Sequence, residues 1–509
     1  METPPGGAGT AREISGFLNR LEARLAEVDH SLFLAWWSQY AGLSHSGTAR
    51  WDTFRSRLVG RPELLNFLRT AQARPQPPLL LRRLQLVQRI AEDALVEQHP
   101  SVVRRRATLV RRVFAFRPRW DGRRVPEARV RRLLRTNRDR AARRRAFLAL
   151  QELANQLEGD FPGLVEARNA RARALGYASF MDFRLRAEGL TLPQLEGFIR
   201  RIQEASRIAH RRFREQFLER TGSSCFLPWD LSFAENGRNP LPESAFPGPS
   251  MAADALRTIR AWGFRGPRRP FQIVQRSIPV GGFTLAVKIP RDVRVAVNPK
   301  GGWHHYEILL HEFGHAVQDW YTVGRTHVLQ GPENIPGYAG FHEGIGGLFE
   351  LVAADERWLR ARQGASPELV REFLANTSDE ELWMAGWTAN WVWKEVQMYK
   401  RPRASHREEF HRASRGLFGF DDFPVQPSLD PFWIEAAFYS KSYLLAAILR
   451  AQLRRAIEEQ LPGPFWPNRQ VIPWLRRHWF RYGARFDWVP RVREVTGRAL
   501  DVTDLLRAR

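Results

Sequence analysis

The spacing of apolar residues is the feature that most constrains the fold of this chain. Up to about residue 220, apolar side chains recur every three or four positions, the period of an amphipathic helix. This pattern predicts helices over residues 14–26, 50–71, 79–97, 127–157 and 192–219. Prolines at 75, 77, 78, 162 and 193 fall between or at the starts of these stretches, as expected at helix boundaries.

The pattern changes after residue 220. Residues 223–249 are rich in Pro, Gly and Asn and predict a long ordered loop. Short alternating runs at 271–274, 283–287 and 293–297 predict a small β-element, with Gly281 and Gly282 as a hairpin turn. Beyond Gly302 the helical period returns. The chain is therefore expected to be mainly α with a minor sheet.

The length of 509 residues allows a large core, in one large domain or two to three smaller ones. No run of eighteen apolar residues occurs, so no membrane span is expected. Residues 1–16 carry no basic segment followed by an apolar one, which favours a cytoplasmic location. Cys225 is the only cysteine, and this excludes an internal disulfide and a cysteine metal cage.

The net charge is +25, and nearly all of the positive charge is arginine. Clusters at 104–106 and 143–145 could attract nucleic acid or an anionic surface. They lie on helix-like stretches without the interleaved aromatic residues of a stacking platform. A solvated, arginine-biased surface is the favoured explanation, and nucleic acid is not the expected partner.

A metal-binding motif lies in the second half of the chain, where His311-Glu-Phe-Gly-His315 has the form H-E-x-x-H. Residues four apart share one helix face, so both histidines can bind one Zn²⁺. Such a metal lowers the pKa of a bound water to about 7, and the carboxylate of Glu312 can take its proton. Two histidines on an ordinary helix would be the alternative.

A third ligand is expected from a second helix, because catalytic zinc sites of this kind use three protein ligands. The segment from Gly340 to Leu351 fits, and its small residues allow a close approach to the first helix. Glu343 is the predicted ligand, since His342 points about a third of a turn away. Glu350 lies two turns on from Glu343 and could bond a histidine ligand.

These residues resemble the angiotensin-converting-enzyme family of peptidyl-dipeptidases. The resemblance rests on His311 to His315 followed by Gly340-Phe-His-Glu-Gly-Ile-Gly346, and on Asp292-Val-Arg upstream. Weaker matches cover residues 165–177 and 443–449, the first shared with thimet-type oligopeptidases. The resemblance implies a two-lobed helical ellipsoid with a deep channel, and residues 1–125 as a lid over a catalytic region at 126–509.

The family also implies roles for residues outside the metal motif. Tyr443 would donate to the oxyanion of the reaction intermediate, with Tyr439 as the fallback donor. The strand at 281–286, with Gly282, Phe283 and Thr284, would bind an extended peptide along its edge. The implied cofactor is one zinc ion, and the implied partner is a short peptide.

Several positions depart from the family pattern. Trp433 and Gly281 stand where the family has histidines, Pro431 and Ser440 where it holds a substrate carboxylate, and Ser442 where the animal enzymes bind chloride through an arginine. Gly347 replaces an Asp. The zinc and base residues are intact, whereas the residues that the family uses for dipeptide release are not found at the expected positions. A thimet-type endo-oligopeptidase and a non-catalytic peptide- or nucleic-acid-binding protein remain alternatives, and the oligomeric state stays open.

Overall fold

The computed structural model describes residues 9–43, 47–278, 280–331 and 335–507. Part of the 1–16 segment therefore lies outside the described residues. Helices dominate, as the periodicity predicts. In chain order the first twelve are α1 (Ala11–Tyr40), α2 (Thr48–Val59), α3 (Pro62–Gln72), α4 (Pro78–Glu97), α5 (Pro100–Ala115), α6 (Glu127–Thr136), α7 (Arg140–Leu157), α8 (Phe161–Ala174), α9 (Phe180–Glu188), α10 (Leu192–Thr221), α11 (Leu231–Asn236) and α12 (Met251–Ala261).

The second half of the chain carries the remaining helices. They are α13 (Trp303–Tyr321), α14 (His327–Gln330), α15 (Ala339–Glu350), α16 (Glu356–Arg360), α17 (Pro367–Asn376), α18 (Glu380–Lys400), α19 (Arg407–Phe418), α20 (Phe432–Glu435), α21 (Ser440–Gln460), α22 (Val471–His478), α23 (Trp488–Thr496) and α24 (Thr503–Arg507). Short 3₁₀ turns occur at Pro228–Asp230, Glu243–Ala245, Leu351–Ala354 and Phe480–Arg485. No helix among the described residues combines the length and apolar character needed to cross a membrane.

Two predicted helices are each divided in the structure. The 50–71 stretch breaks between α2 and α3, because Pro62 lacks the N–H of a continuing helix and opens a new one. The 127–157 stretch breaks between α6 and α7, where the Asp139 carboxylate accepts the N–H groups of Ala141 and Ala142. In both cases the apolar period continues across the break, so periodicity alone predicted one helix.

The small sheet next to α13 has a topology that the sequence did not predict. β1 (Arg119–Trp120) and β2 (Arg123–Arg124) form a separate pair, while β3 (Gln272–Gln275), β4 (Gly282–Lys288) and β5 (Asp292–Val297) form the three-stranded sheet. β5 is central, with β3 parallel and β4 antiparallel to it. The predicted hairpin turn at Gly281 and Gly282 is wrong, since Gly282 opens β4.

The 223–249 stretch is also more regular than the predicted loop, because it contains α11 and two of the 3₁₀ turns. The main hydrophobic cluster extends from Ile14 to Leu505 and includes buried residues of α13, α15 and α21. Residues near both ends of the chain thus support the same core. β4 and β5 pack on α13, and α1 packs on β4.

Candidate metal centre and active site

Two adjacent helices bring together three side chains that could hold a metal ion. His311 and His315 lie on α13 and Glu343 on α15, and one donor atom of each lies within 4.8 Å of the other two. Nε2 of His311 is 3.1 Å from Nε2 of His315 and 3.3 Å from Oε2 of Glu343. Zn–N distances near 2.0–2.1 Å give neighbouring ligands of a tetrahedron a separation of about 3.3 Å. The donor types and their spacing therefore fit a zinc ion.

Glycines allow the two helices to approach so closely. A Cβ atom on Gly314 would lie 2.8 Å from the carbonyl oxygen of Ile345 and 2.9 Å from Cα of Gly346. A Cβ atom on Gly346 would lie 2.6 Å from Nε2 of His311. Both distances are shorter than van der Waals contact. Only glycine at these two positions lets Glu343 reach the histidines from the neighbouring helix.

Glu350 orients the first histidine. Its Oε2 atom lies 3.1 Å from Nδ1 of His311, so a proton on Nδ1 leaves Nε2 free to face Glu343 and His315. This is the contact proposed for Glu350 from its position two turns after Glu343. The sequence did not indicate Arg450, whose guanidinium lies 3.9 Å from Oε1 of Glu350 and helps to lower the pKa of that carboxyl.

Glu312 is buried beside the cluster and lines the adjoining cavity. Burial raises the pKa of Glu312 to about 7, although the neighbouring His311 opposes the shift. A carboxyl with a pKa near neutral can both take and return a proton. The main-chain oxygen of Glu312 accepts a hydrogen bond of 2.8 Å from the Thr284 hydroxyl, which fixes β4 against this turn of α13.

His342 lies closer to the cluster than its position relative to Glu343 predicted. Its ring stacks on the ring of His315 at 3.8 Å with an interplanar angle of 8°, and it lines the cavity. Burial lowers the pKa of His342 to about 4, so the stacked ring is neutral. The helical wheel of α15 gives directions within that helix, whereas this contact depends on how α15 crosses α13.

Two tyrosines of the α21 region reach the site in different ways. The Tyr439 hydroxyl donates a hydrogen bond of 2.7 Å to Oε1 of Glu343. Tyr443 lines the cavity and stacks on Trp391, with ring centroids 6.3 Å apart. Burial and the charges of Glu343 and Glu312 raise the pKa of Tyr443 well above its usual range. Tyr439 therefore contacts a metal-ligand candidate, while Tyr443 faces open space near it.

The cluster opens into a cavity of about 690 Å³. Its walls include Gly282, Phe283 and Thr284 of β4, together with Leu32, Phe33 and Trp36 of α1. β4 is an edge strand of the sheet, as the resemblance implies. A Cβ atom on Gly282 would lie 2.9 Å from Ile308 and 3.1 Å from Cγ of Glu312, so glycine brings this edge against α13.

Positively charged side chains of the cavity wall were not found from the sequence. Arg55 pairs with Asp29 at 2.7 Å, Arg184 with Asp93 at 2.5 Å, and Lys441 with Glu188 at 2.8 Å. Each is thus at least partly neutralised by an acidic neighbour. No short sequence motif joins these pairs, whose members are 26 to more than 200 positions apart.

The positions that depart from the family pattern lie in different surroundings. Ser442 lines the cavity, whereas Trp433 is buried in the main hydrophobic cluster and Ser440 is buried against Glu395. Gly281 lies against Ile308, where a Cβ atom would be 2.6 Å away. A larger side chain at position 281 would therefore require the end of the Ile308 side chain to move.

Comparison with known proteins places the fold. No family model and no curated protein matches the sequence. Among solved structures, the chain is similar to the M32 carboxypeptidase from Deinococcus radiodurans R1, with a TM-score of 0.63, 16% sequence identity and coverage of 97% of each chain. This likeness confirms the mainly helical fold along almost the whole chain. Membership of the angiotensin-converting-enzyme family is not confirmed.

Proposed function

We propose that this protein is a zinc-dependent peptidase that hydrolyses short peptides. The observation that carries the proposal is the cluster of His311, His315 and Glu343, with Glu312 beside it, at the wall of a 690 Å³ cavity. A zinc ion bound by such a cluster acts as a Lewis acid and activates water. A metal site that only stabilised the fold would be closed by four protein ligands and would not need a cavity or an adjacent carboxylate.

The side chains around the cluster have separate roles in this proposal. Glu312 accepts the proton of the attacking water at its carboxylate and returns it to the leaving amine. Glu350 holds the proton on Nδ1 of His311, and Tyr439 holds Oε1 of Glu343. Tyr443 donates its hydroxyl proton toward the oxyanion that forms on the scissile carbonyl.

The peptide is proposed to lie along the edge of β4. Residues Gly282, Phe283 and Thr284 face the cavity there, and an edge strand offers main-chain groups to an extended peptide. Further along the same strand, the imidazole Nδ1 of His30 lies 3.3 Å from the Val287 carbonyl oxygen, which limits the free edge.

The N-terminal helices contribute Leu32, Asp52 and Ile90 to the wall of the cavity. They support a lid role for residues 1–125, which would exclude folded proteins.

Among peptidase types, we favour a carboxypeptidase. The similar solved structure is that of a carboxypeptidase, and the likeness covers 97% of both chains. The residues expected for dipeptide release are replaced at Trp433, Gly281, Pro431 and Ser440. Peptidyl-dipeptidase and endo-oligopeptidase action are the alternatives within the same chemistry.

A digest of a peptide library tests both the zinc-dependent hydrolysis of peptides and the carboxypeptidase type. Zinc-loaded protein is incubated with free peptides and with the same peptides amidated at the C-terminus, and products are read by mass spectrometry. Release of single C-terminal residues from free peptides, with loss of cleavage after amidation, is expected. Dipeptides or internal fragments would assign the alternative types. Absence of any zinc-dependent cleavage, together with salt-dependent retention on nucleic acid, would favour a non-catalytic binding protein.

The two tyrosines give a second test. Tyr443→Phe is expected to lower kcat by about 10²- to 10³-fold, as for the loss of one oxyanion donor. Zinc affinity should stay unchanged, because the Tyr443 hydroxyl bonds no metal-ligand candidate within the described residues. Tyr439→Phe is the matched comparison and should weaken zinc binding instead. Equal kcat in Tyr443→Phe and the wild type would remove Tyr443 from the reaction.

A further inference from the structure

A strained turn carries Tyr439 to the metal cluster. Phe438 has a φ of 56° and is 1% exposed, and with Asp121 it is one of two non-glycine residues of positive φ in the described chain. Such a backbone is strained and persists only where its surroundings hold it in place. Tyr439 follows directly, and α21 begins at Ser440.

Glu395 of α18 fixes this turn by hydrogen bonds. It is fully buried, and its Oε1 atom accepts the N–H of Phe438 at 2.7 Å. Its Oε2 atom accepts a short hydrogen bond from the Ser440 hydroxyl. The carboxyl thus contacts the residues on both sides of Tyr439, although Glu395 itself does not line the cavity.

A buried arginine fixes the segment just before the turn. The Arg168 guanidinium donates to the carbonyl oxygens of Trp433 and Ile434, at 3.3 and 2.9 Å. Arg168 also pairs with Glu97, so its charge is compensated inside the core. Between these carbonyls and Ser440, the chain has little freedom to turn Tyr439 in another direction.

The contact that results is made at the metal cluster. Tyr439 donates to Oε1 of Glu343, while Oε2 of the same carboxylate lies 3.3 Å from Nε2 of His311. We propose that Glu395 is a positioning residue that sets the metal affinity of the cluster by fixing the turn that aims the Tyr439 hydroxyl at Glu343. The proposal rests on the metal site of the proposed function and does not require hydrolysis.

The chemistry of Glu395 suggests a conservative replacement. Burial raises the pKa of Glu395 to about 8, so the carboxyl is neutral at pH 7. A glutamine amide has the same shape: its oxygen can accept from Phe438, and its NH2 group can donate to the Ser440 oxygen once that hydroxyl turns its own proton away. Glu395→Gln should therefore keep the turn, and Glu395→Ala should release it.

The test is a double-mutant cycle read by zinc affinity. The dissociation constant of Zn²⁺ is measured by chelator competition in the full chain for Glu395→Ala, Tyr439→Phe and the double variant. Each single change is expected to weaken zinc binding by about 10- to 100-fold, the usual effect of losing a partner of a metal ligand. Because Glu395 acts through Tyr439, the double variant should bind no more weakly than Tyr439→Phe, and Glu395→Gln should bind like the wild type.

Two results would overturn the proposal. One is a loss of zinc affinity in the double variant that equals the sum of the two single losses in free energy. The other is a lower Tm of Glu395→Ala with unchanged zinc affinity. If Glu395→Ala does not fold, Ser440→Ala removes one of the two bonds to the turn and enters the same cycle. If the double-mutant cycle shows coupling between Glu395 and Tyr439 but the protein hydrolyses no peptide, the positioning role of Glu395 is supported and only the proposed peptidase activity is rejected.

Discussion

Glu312→Gln is expected to bind zinc like the wild type and to lose about 10²- to 10⁴-fold in kcat, the usual contribution of a general base. The amide keeps the shape of the side chain but cannot take a proton from water. Glu312 is not one of the three clustered donors, so the metal should remain. Steady-state hydrolysis of a short peptide and zinc content by metal analysis measure the two quantities.

Glu307→Gln is the matched control for this change. Glu307 lies on α13 one turn before His311, and its carboxylate bonds His304 at 3.1 Å and none of the clustered donors. Its replacement should leave most of the activity. Turnover by Glu312→Gln at the wild-type rate would remove this residue from the mechanism, while zinc loss in this variant would assign it a binding role.

The second large effect is a loss of zinc affinity, and it is expected from adding a single methyl group. In Gly346→Ala, the new Cβ atom would lie 2.6 Å from Nε2 of His311 and 2.8 Å from Cε1 of His315. Both ligand rings would have to move, or α15 would have to separate from α13. Because partners of metal ligands alone change affinity by 10- to 100-fold, we expect zinc affinity to fall at least about 100-fold.

Gly347→Ala controls for the helix itself. It lies on the same helix, but its Cβ atom would meet Cδ of Arg450 at 3.1 Å, part of a flexible side chain. Alanine is favoured over glycine inside a helix by roughly 0.5–1 kcal/mol, so the change at position 347 should not weaken α15. Chelator competition should show near-normal zinc binding in Gly347→Ala. Unchanged binding in Gly346→Ala would show that α13 and α15 do not hold a metal between them.

Much of the helical architecture could be predicted, because helical periodicity is a local property of the sequence. The predicted stretches at 79–97 and 192–219 match α4 and α10 to within two residues at each end. The breaks before Pro62 and Asp139 were missed, since the apolar period continued across them. The sheet was located correctly but paired wrongly, because alternation identifies a strand without identifying its neighbour.

Within the site, residues on one helix were easier to place than residues on different helices. The spacing of His311 and His315 determines that they share a face of α13. Glu343 and Glu350 follow from the same period on α15. The paired charges of the cavity wall could not be predicted, because Arg184 with Asp93 and Lys441 with Glu188 join distant segments.

The sequence by itself determined the helical class, the candidate metal ligands and the carboxylate beside them, since all three depend on composition and spacing within single elements. Only the tertiary structure decided that His342 stacks on His315 and that Tyr439 contacts Glu343. The same holds for the hydrogen bonds from Glu395 to the two residues that flank Tyr439. These contacts depend on the crossing of α13, α15, α18 and α21. That crossing is set by core packing and by glycines that admit a neighbouring helix, which no local period encodes.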